Sequence, residues 1–193
     1  MKRLLPRIAL GLFFAQLLLM PVSWLLSAVY PSSGLRSLLS GEGLRWFMGH
    51  FTDLLSTPVL IWIVLCTMAW GCLWHSRLLH RPANYRESRA LMIALLLLAV
   101  VVLLMLSLTL APQAILLSAV GGLWPSPFSS SLVPVVAFTT IIVSATYGLI
   151  SGRFRGVADV YNALLQGIRM GAPLLLFYVL LIQIYESLCY VWP

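Results

Sequence analysis

The chain has 193 residues, of which 61% are hydrophobic and only 9% charged, and its mean hydropathy is +1.00. Water-soluble domains carry roughly a quarter charged residues, and about 20 apolar residues in a helix cross roughly 30 Å of hydrocarbon, so the composition excludes a soluble globular protein and indicates an all-α, polytopic membrane protein. The formal net charge of +7 resides in short linkers between apolar runs, a placement that suits the lipid bilayer and its anionic headgroups as partner and gives no basic stripe for nucleic acid.

In chain order, MKRLLPRIALGLFFAQLLLM opens with basic residues and continues apolar to Val29. That run is long for a signal core, so a retained first span over 8–29 is expected, kinked at Pro21. A linker, Tyr30–Gly41, leads to GEGLRWFMGHFTDLLST, where Leu44, Phe47, Met48, Phe51, Leu54 and Leu55 recur at helical spacing. This spacing predicts an amphipathic helix at the interface with Trp46 as headgroup anchor. Span two, 58–74, starts on Pro58, a residue suited to a first helical turn. The loop His75–Arg89 carries four arginines and one glutamate. Span three covers 90–110. A stretch with no Lys, Arg, Asp or Glu runs from Ala90 to Gly152; within it, Gln113–Gly122 is expected to dip shallowly into the membrane. Ser129–Ser131 are expected to start span four, 133–150, with Pro134 in its first turn. A second amphipathic piece, Val157–Gln166, precedes span five, 170–191. The expected architecture is one transmembrane domain of about five transmembrane helices plus two amphipathic interfacial helices.

The charges orient these spans. Lys2, Arg3 and Arg7, the four arginines of His75–Arg89, and Arg153, Arg155 and Arg169 fall on one side of the alternation; Arg36, Arg45, Glu42 and Asp53 fall on the other and cancel. Basic loops stay cytoplasmic, so the expected placement is multi-pass in a bacterial inner membrane, N-terminus cytoplasmic and C-terminus periplasmic.

Two regions carry a family resemblance. The first is PSPFSSSLVPVV with TYGLISGRFRGVADVYNALLQGIRMGAPLLLFYVLLIQI, in which Ser126-Pro127-Phe128, Tyr147-Gly148, Asp159-Val160, Ala172-Pro173 and Gln183 occur in order. The second is GLRWFMGHFTDLLSTPVLIWIVLCTMAWG, Gly43–Gly71, with His50-Phe51-Thr52 where the family has Asn-Phe-Thr. Together they resemble the AbgT family of membrane transporters. The resemblance implies transport of p-aminobenzoyl-glutamate or a similar amphipathic anion, a homo-oligomer (dimer), and a core of re-entrant hairpins. The family's Asn-bearing hairpin beside an Ala-Ser-Asp-Ala-Gly-Tyr run, and its later Ser/Gly-rich hairpin, have no counterpart here. An enclosed path is therefore expected to need an oligomer or a partner membrane subunit, and the rival expectation is a non-transporting scaffold or accessory subunit.

The candidate substrate-binding residues are Arg45, His50, Ser144, Tyr147, Gln183 and Glu186. Carboxylates of a folate fragment call for arginine or N–H donors, which Arg45 supplies, with snorkelling to headgroups as its alternative role. Glu186 is the one acidic residue well inside a predicted span, a relay candidate or an interfacial glutamate bonded to a neighbouring tyrosine. Gln183, like Gln16, either contacts substrate or bonds helix to helix. Ser144 lies on a polar seam near Tyr147. Asp159 is read as a helix cap or first-turn acid, and Cys66, Cys72 and Cys189 as small buried side chains. His50, His75 and His80 form no metal set; no catalytic triad, phosphate loop or paired carboxylates occur. Neither an enzyme nor a cofactor is expected.

Overall fold

The computed structural model describes residues 4–31, 34–110 and 127–192. Among them are six helices and no strand: α1 (Leu4–Val29), α2 (Gly41–Leu55), α3 (Pro58–Ser76), α4 (Tyr85–Leu110), α5 (Pro127–Ser151) and α6 (Val157–Val191). Five stretches among the described residues are long and apolar enough to cross a membrane: Leu4–Val29, Gly41–Ser76, Tyr85–Thr109, Ser130–Ser151 and Val157–Val191. The segment Gln113–Gly122 lies outside the described residues.

Several boundaries depart from the expected ones: α1 already starts at Leu4 and α3 runs on to Ser76, and three further departures are larger. Val157–Gln166 is no separate helix but the start of α6, which runs 35 residues without a break. Glycine inside a helix costs about 1 kcal/mol relative to alanine, yet α6 passes through Gly167 and Gly171 because both pack closely against Thr67 of α3. Span four begins earlier than expected, on Pro127, which leaves Pro134 inside α5 instead of in its first turn. Helix α4 starts at Tyr85, since Glu87 caps it from within: Glu87 Oε2 accepts the Ala83 N–H at 2.8 Å. In α6 the same device recurs, with Asp159 Oδ2 accepting the Arg155 N–H at 2.8 Å. In both cases the third helical residue reaches back to satisfy a backbone donor ahead of the helix.

The chain forms two compact units. One comprises residues 1–61 and 172–193. Its buried α1 residues are polar, Gln16 and Ser23, while Leu10, Phe13, Phe14 and Leu18 face outward. Lipid tails are as apolar as leucine, so such a helix gains more by turning its polar stripe inward. Gln16 Nε2 donates to Ser187 Oγ of α6, and Ser23 Oγ accepts the N–H of buried Leu38. Ser40 caps α2 through the Gly43 N–H, and Gly43 sits so close to Ser37 and Leu38 that no larger residue fits. Thr57 and Tyr178 share a hydroxyl–hydroxyl hydrogen bond.

The other unit, residues 62–171, centres on Ala90 and Ala94 of α4 packed against Val143 and Tyr147 of α5. A second cluster joins Cys72, Phe154 and Ala163. Gly71 of α3 lies against Ala163 and Gly167 of α6, a close backbone approach that small residues permit. Of the three cysteines only Cys72 is buried; Cys66 and Cys189 are exposed, which corrects the expectation of three buried thiols. Both sit on outward faces of spanning helices.

Candidate functional site

In the second unit the C-termini of α3 and α5 meet the N-termini of α4 and α6 at an end rich in arginine. Two side chains tie the α5–α6 turn to α4. Arg86 Nε donates to Ile150 O at 2.8 Å, and Arg153 Nη2 donates to Glu87 Oε1 at 2.9 Å. Gly152 has φ +83°, the left-handed conformation in which a helix often ends on glycine. The Arg86 guanidinium lies 3.2 Å from where a Cβ on Gly152 would stand. Phe154 then turns its ring onto Gly148 and donates its N–H to Gly148 O at 2.9 Å.

These links wall a pocket of about 360 Å³ lined by His75, Arg153, Phe154, Asp159, Asn162, Ala163 and Gln166. Its size falls in the range of small-molecule sites, roughly 300–1,000 Å³. Asp159, Asn162, Ala163 and Gln166 share one face of α6 by helical spacing. His75 Nδ1 donates to Gly71 O at 3.0 Å, which fixes the ring and leaves Nε2 for a ligand. The pocket thus holds a guanidinium, two carboxamides, an imidazole and a carboxylate. The groove between α4 and α5 differs, being lined by residues such as Leu98, Met105 and Val136; its Thr109, Thr139 and Thr140 hydroxyls bond back to their own helices. Among the described residues no three His, Cys, Asp or Glu gather as a metal site.

The six residues singled out from the sequence do not converge on this pocket. Ser144 and Tyr147 are buried in α5, Tyr147 in the alanine-lined cluster with α4. The Ser144 hydroxyl has no hydrogen-bond partner. Arg45 and His50 are exposed on α2; His50 Nδ1 bonds Trp46 O at 3.2 Å, and its ring stacks on Trp46. Trp46 stacks in turn on Tyr190, ring centroids 4.4 Å apart. Glu186 is half-buried on α6. Gln183 is 7% exposed, with neither amide atom hydrogen-bonded. Gln16, by contrast, makes the helix-to-helix bond expected of it. Sequence reasoning missed Asn162 and Gln166 because an amphipathic segment was assigned to the membrane surface, where polar residues simply meet water. The signal was present in the i, i+3, i+7 spacing of Asp159, Asn162 and Gln166.

Apolar helices of spanning length, with polar groups turned inward and a polar pocket at one end, define a polytopic α-helical membrane protein. A sequence profile of the AbgT putative transporter family matches residues 75–188, more than half of the chain and the whole arginine-rich end. The chain belongs to that family. Comparison with curated proteins gave no match, and neither did comparison with solved structures.

Proposed function

We propose that the chain carries, or helps to carry, p-aminobenzoyl-glutamate or a similar amphipathic anion across a bacterial inner membrane, with its arginine-rich end cytoplasmic. The observation that carries this reading is the polar pocket walled by Arg153, His75, Asn162 and Gln166 inside the family-matched segment. A folate fragment presents two carboxylates and an amide, and these want a guanidinium and carboxamides. In the other unit, exposed Arg45 and His50 on α2 are the candidates for a first contact with solute. Gln183 and Glu186 in one unit, and Ser144 and Tyr147 in the other, are further candidate polar contacts. A path that spans the bilayer is built by an oligomer, a dimer being the simplest.

A second reading, a scaffold or accessory subunit of a larger membrane assembly, is favoured by one observation. Only 6% of the spanning window of α4 is buried within the chain, so most of this leucine-rich helix is left to lipid or to another protein. Uptake of labelled p-aminobenzoyl-glutamate into liposomes separates the two. The transport reading expects saturable uptake by wild type, reduced at least about tenfold in Arg153→Gln and reduced in Arg45→Ala and Glu186→Gln. Flux equal to that of empty liposomes from folded protein leaves the accessory role.

A further inference from the structure

We infer that the pocket at the arginine-rich end binds a small-molecule carboxylate that also carries an N–H group, that Arg153 is its anchor, and that Glu87 is a built-in competitor which holds Arg153 while the pocket is empty. The inference rests on the transport reading only for the choice of ligand class; the site and its competitor follow from the geometry. Arginine has a planar fork of N–H donors that grips a carboxylate through two parallel bonds. Here Nη2 makes the hydrogen bond to Glu87 Oε1, while the side chain remains 37% exposed and forms part of the pocket wall. Glu87 does not depend on Arg153 for its place. Its other oxygen takes the Ala83 N–H, so the carboxylate stays docked on the start of α4 when the arginine swings away. The link is therefore a replaceable one, and a ligand carboxylate placed between Arg153 and the amides of Asn162 and Gln166 competes for the same guanidinium.

The rest of the wall sets the ligand's other end. Asp159 commits Oδ2 to the Arg155 N–H and keeps Oδ1 as an acceptor. His75, with Nδ1 committed to Gly71 O, offers Nε2. Both suit a ligand N–H, and the Asp159 carboxylate disfavours a second carboxylate beside it. Arg77, Arg81, Arg89 and Arg155 surround this end in the sequence and raise the local concentration of anions. Because Arg153 lies in the turn between α5 and α6 while Glu87 opens α4, filling the pocket releases one of the two side-chain ties between that turn and α4 and leaves the Arg86–Ile150 bond in place.

The test is equilibrium binding of labelled N-benzoylglutamate, and of its neutral diamide, to the full-length chain in nanodiscs of zwitterionic lipid. Wild type is expected to bind the acid and to bind the diamide at least about tenfold more weakly. Arg153→Gln is expected to lose about tenfold in affinity for the acid, and Glu87→Gln to gain about threefold or more as the competitor goes. Asp53→Asn, which changes net charge equally, is expected to leave affinity unchanged. Should Arg153→Gln fail to fold, Asn162→Leu and Gln166→Leu serve in its place, each expected to weaken the acid severalfold. Equal affinity of acid and diamide, no loss in these variants, or a Glu87→Gln affinity at or below wild type overturns the inference. Loss of binding when phosphatidylglycerol replaces part of the zwitterionic lipid assigns the pocket to a lipid phosphate and overturns it too. Arg153-dependent binding without uptake sinks the transport reading alone; no binding in wild type sinks the site whatever the uptake.

Discussion

Gln16 and Ser187, 171 positions apart in sequence, meet in a buried hydrogen bond of 2.8 Å between α1 and α6. One turn before Ser187 on α6, the Gln183 carboxamide is buried with neither its nitrogen nor its oxygen bonded, and Gln16 Oε1 is likewise unpaired. The two glutamines make opposite predictions. Ser187→Ala strips the one bond from Gln16 and is expected to lower stability by about 1 kcal/mol, the usual worth of a polar contact between membrane helices. Gln183→Leu removes unpaired polar atoms and is expected to be neutral or stabilising. Unfolding of the purified protein in mixed micelles reads both, and a strongly destabilised Gln183→Leu contradicts the unpaired state of that amide.

The crossing of α3 and α6 depends on glycine. Thr67 and Gly71 of α3 face Gly167 and Gly171 of α6, and a Cβ on Gly167 runs into the Thr67 carbonyl. Backbone cannot step aside as a flexible side chain can, so Gly167→Leu is expected to cost about 1–3 kcal/mol or more, as overpacking does. Gly11 of α1 has nothing within 4 Å of its Cβ position. Gly11→Ala is accordingly expected to be neutral or stabilising by up to about 1 kcal/mol through helix propensity alone. Melting curves of the two variants in the same detergent decide the matter.

Much of this fold was legible in advance, because composition and hydropathy act on whole helices. A run such as Ala90–Leu110 can satisfy its backbone in lipid only as a helix, and Pro58 marked the start of α3 correctly. The continuity of α6 was not legible. Gly167 and Gly171 look like breakers until Thr67 and Gly71 are seen against them, and that pairing is tertiary. For the site, residue type alone did not reveal the pocket. Arg45 and Glu186 stand out as charges among apolar neighbours, whereas the pocket is built from ordinary polar residues of α6, Asn162 and Gln166, made significant by Arg153 from the α5–α6 turn and His75 from α3.

Helix α2 hangs on its N-cap. Ser40 Oγ accepts the Gly43 N–H at 3.0 Å, the first turn carries Glu42, and further along Trp46 stacks on Tyr190 of α6. Ser40→Ala is expected to destabilise the first turn by about 1 kcal/mol, while the Trp46–Tyr190 contact holds the middle of the helix. Hydrogen exchange is expected to speed up about fivefold or more at Gly43 and Leu44, with little change at Phe51. Equal acceleration along all of α2 points instead to undocking of the whole helix.

The latch over the polar pocket has a backbone half and a side-chain half, and they are coupled through Arg86. Gly152 adopts φ +83° under the Arg86 guanidinium, whose Nε holds Ile150 O. Alanine in a left-handed conformation costs roughly 1–2 kcal/mol by itself, and here its Cβ also presses on the guanidinium. Gly152→Ala is therefore expected to cost more in wild type than in an Arg86→Ala background, where only the backbone strain remains. The difference, read from a double-mutant cycle of unfolding free energies, is expected to be about 0.5 kcal/mol or more, as for residues in direct contact. Additive effects detach Arg86 from the turn and leave Arg153–Glu87 as its only side-chain tie to α4 among the bonds described above.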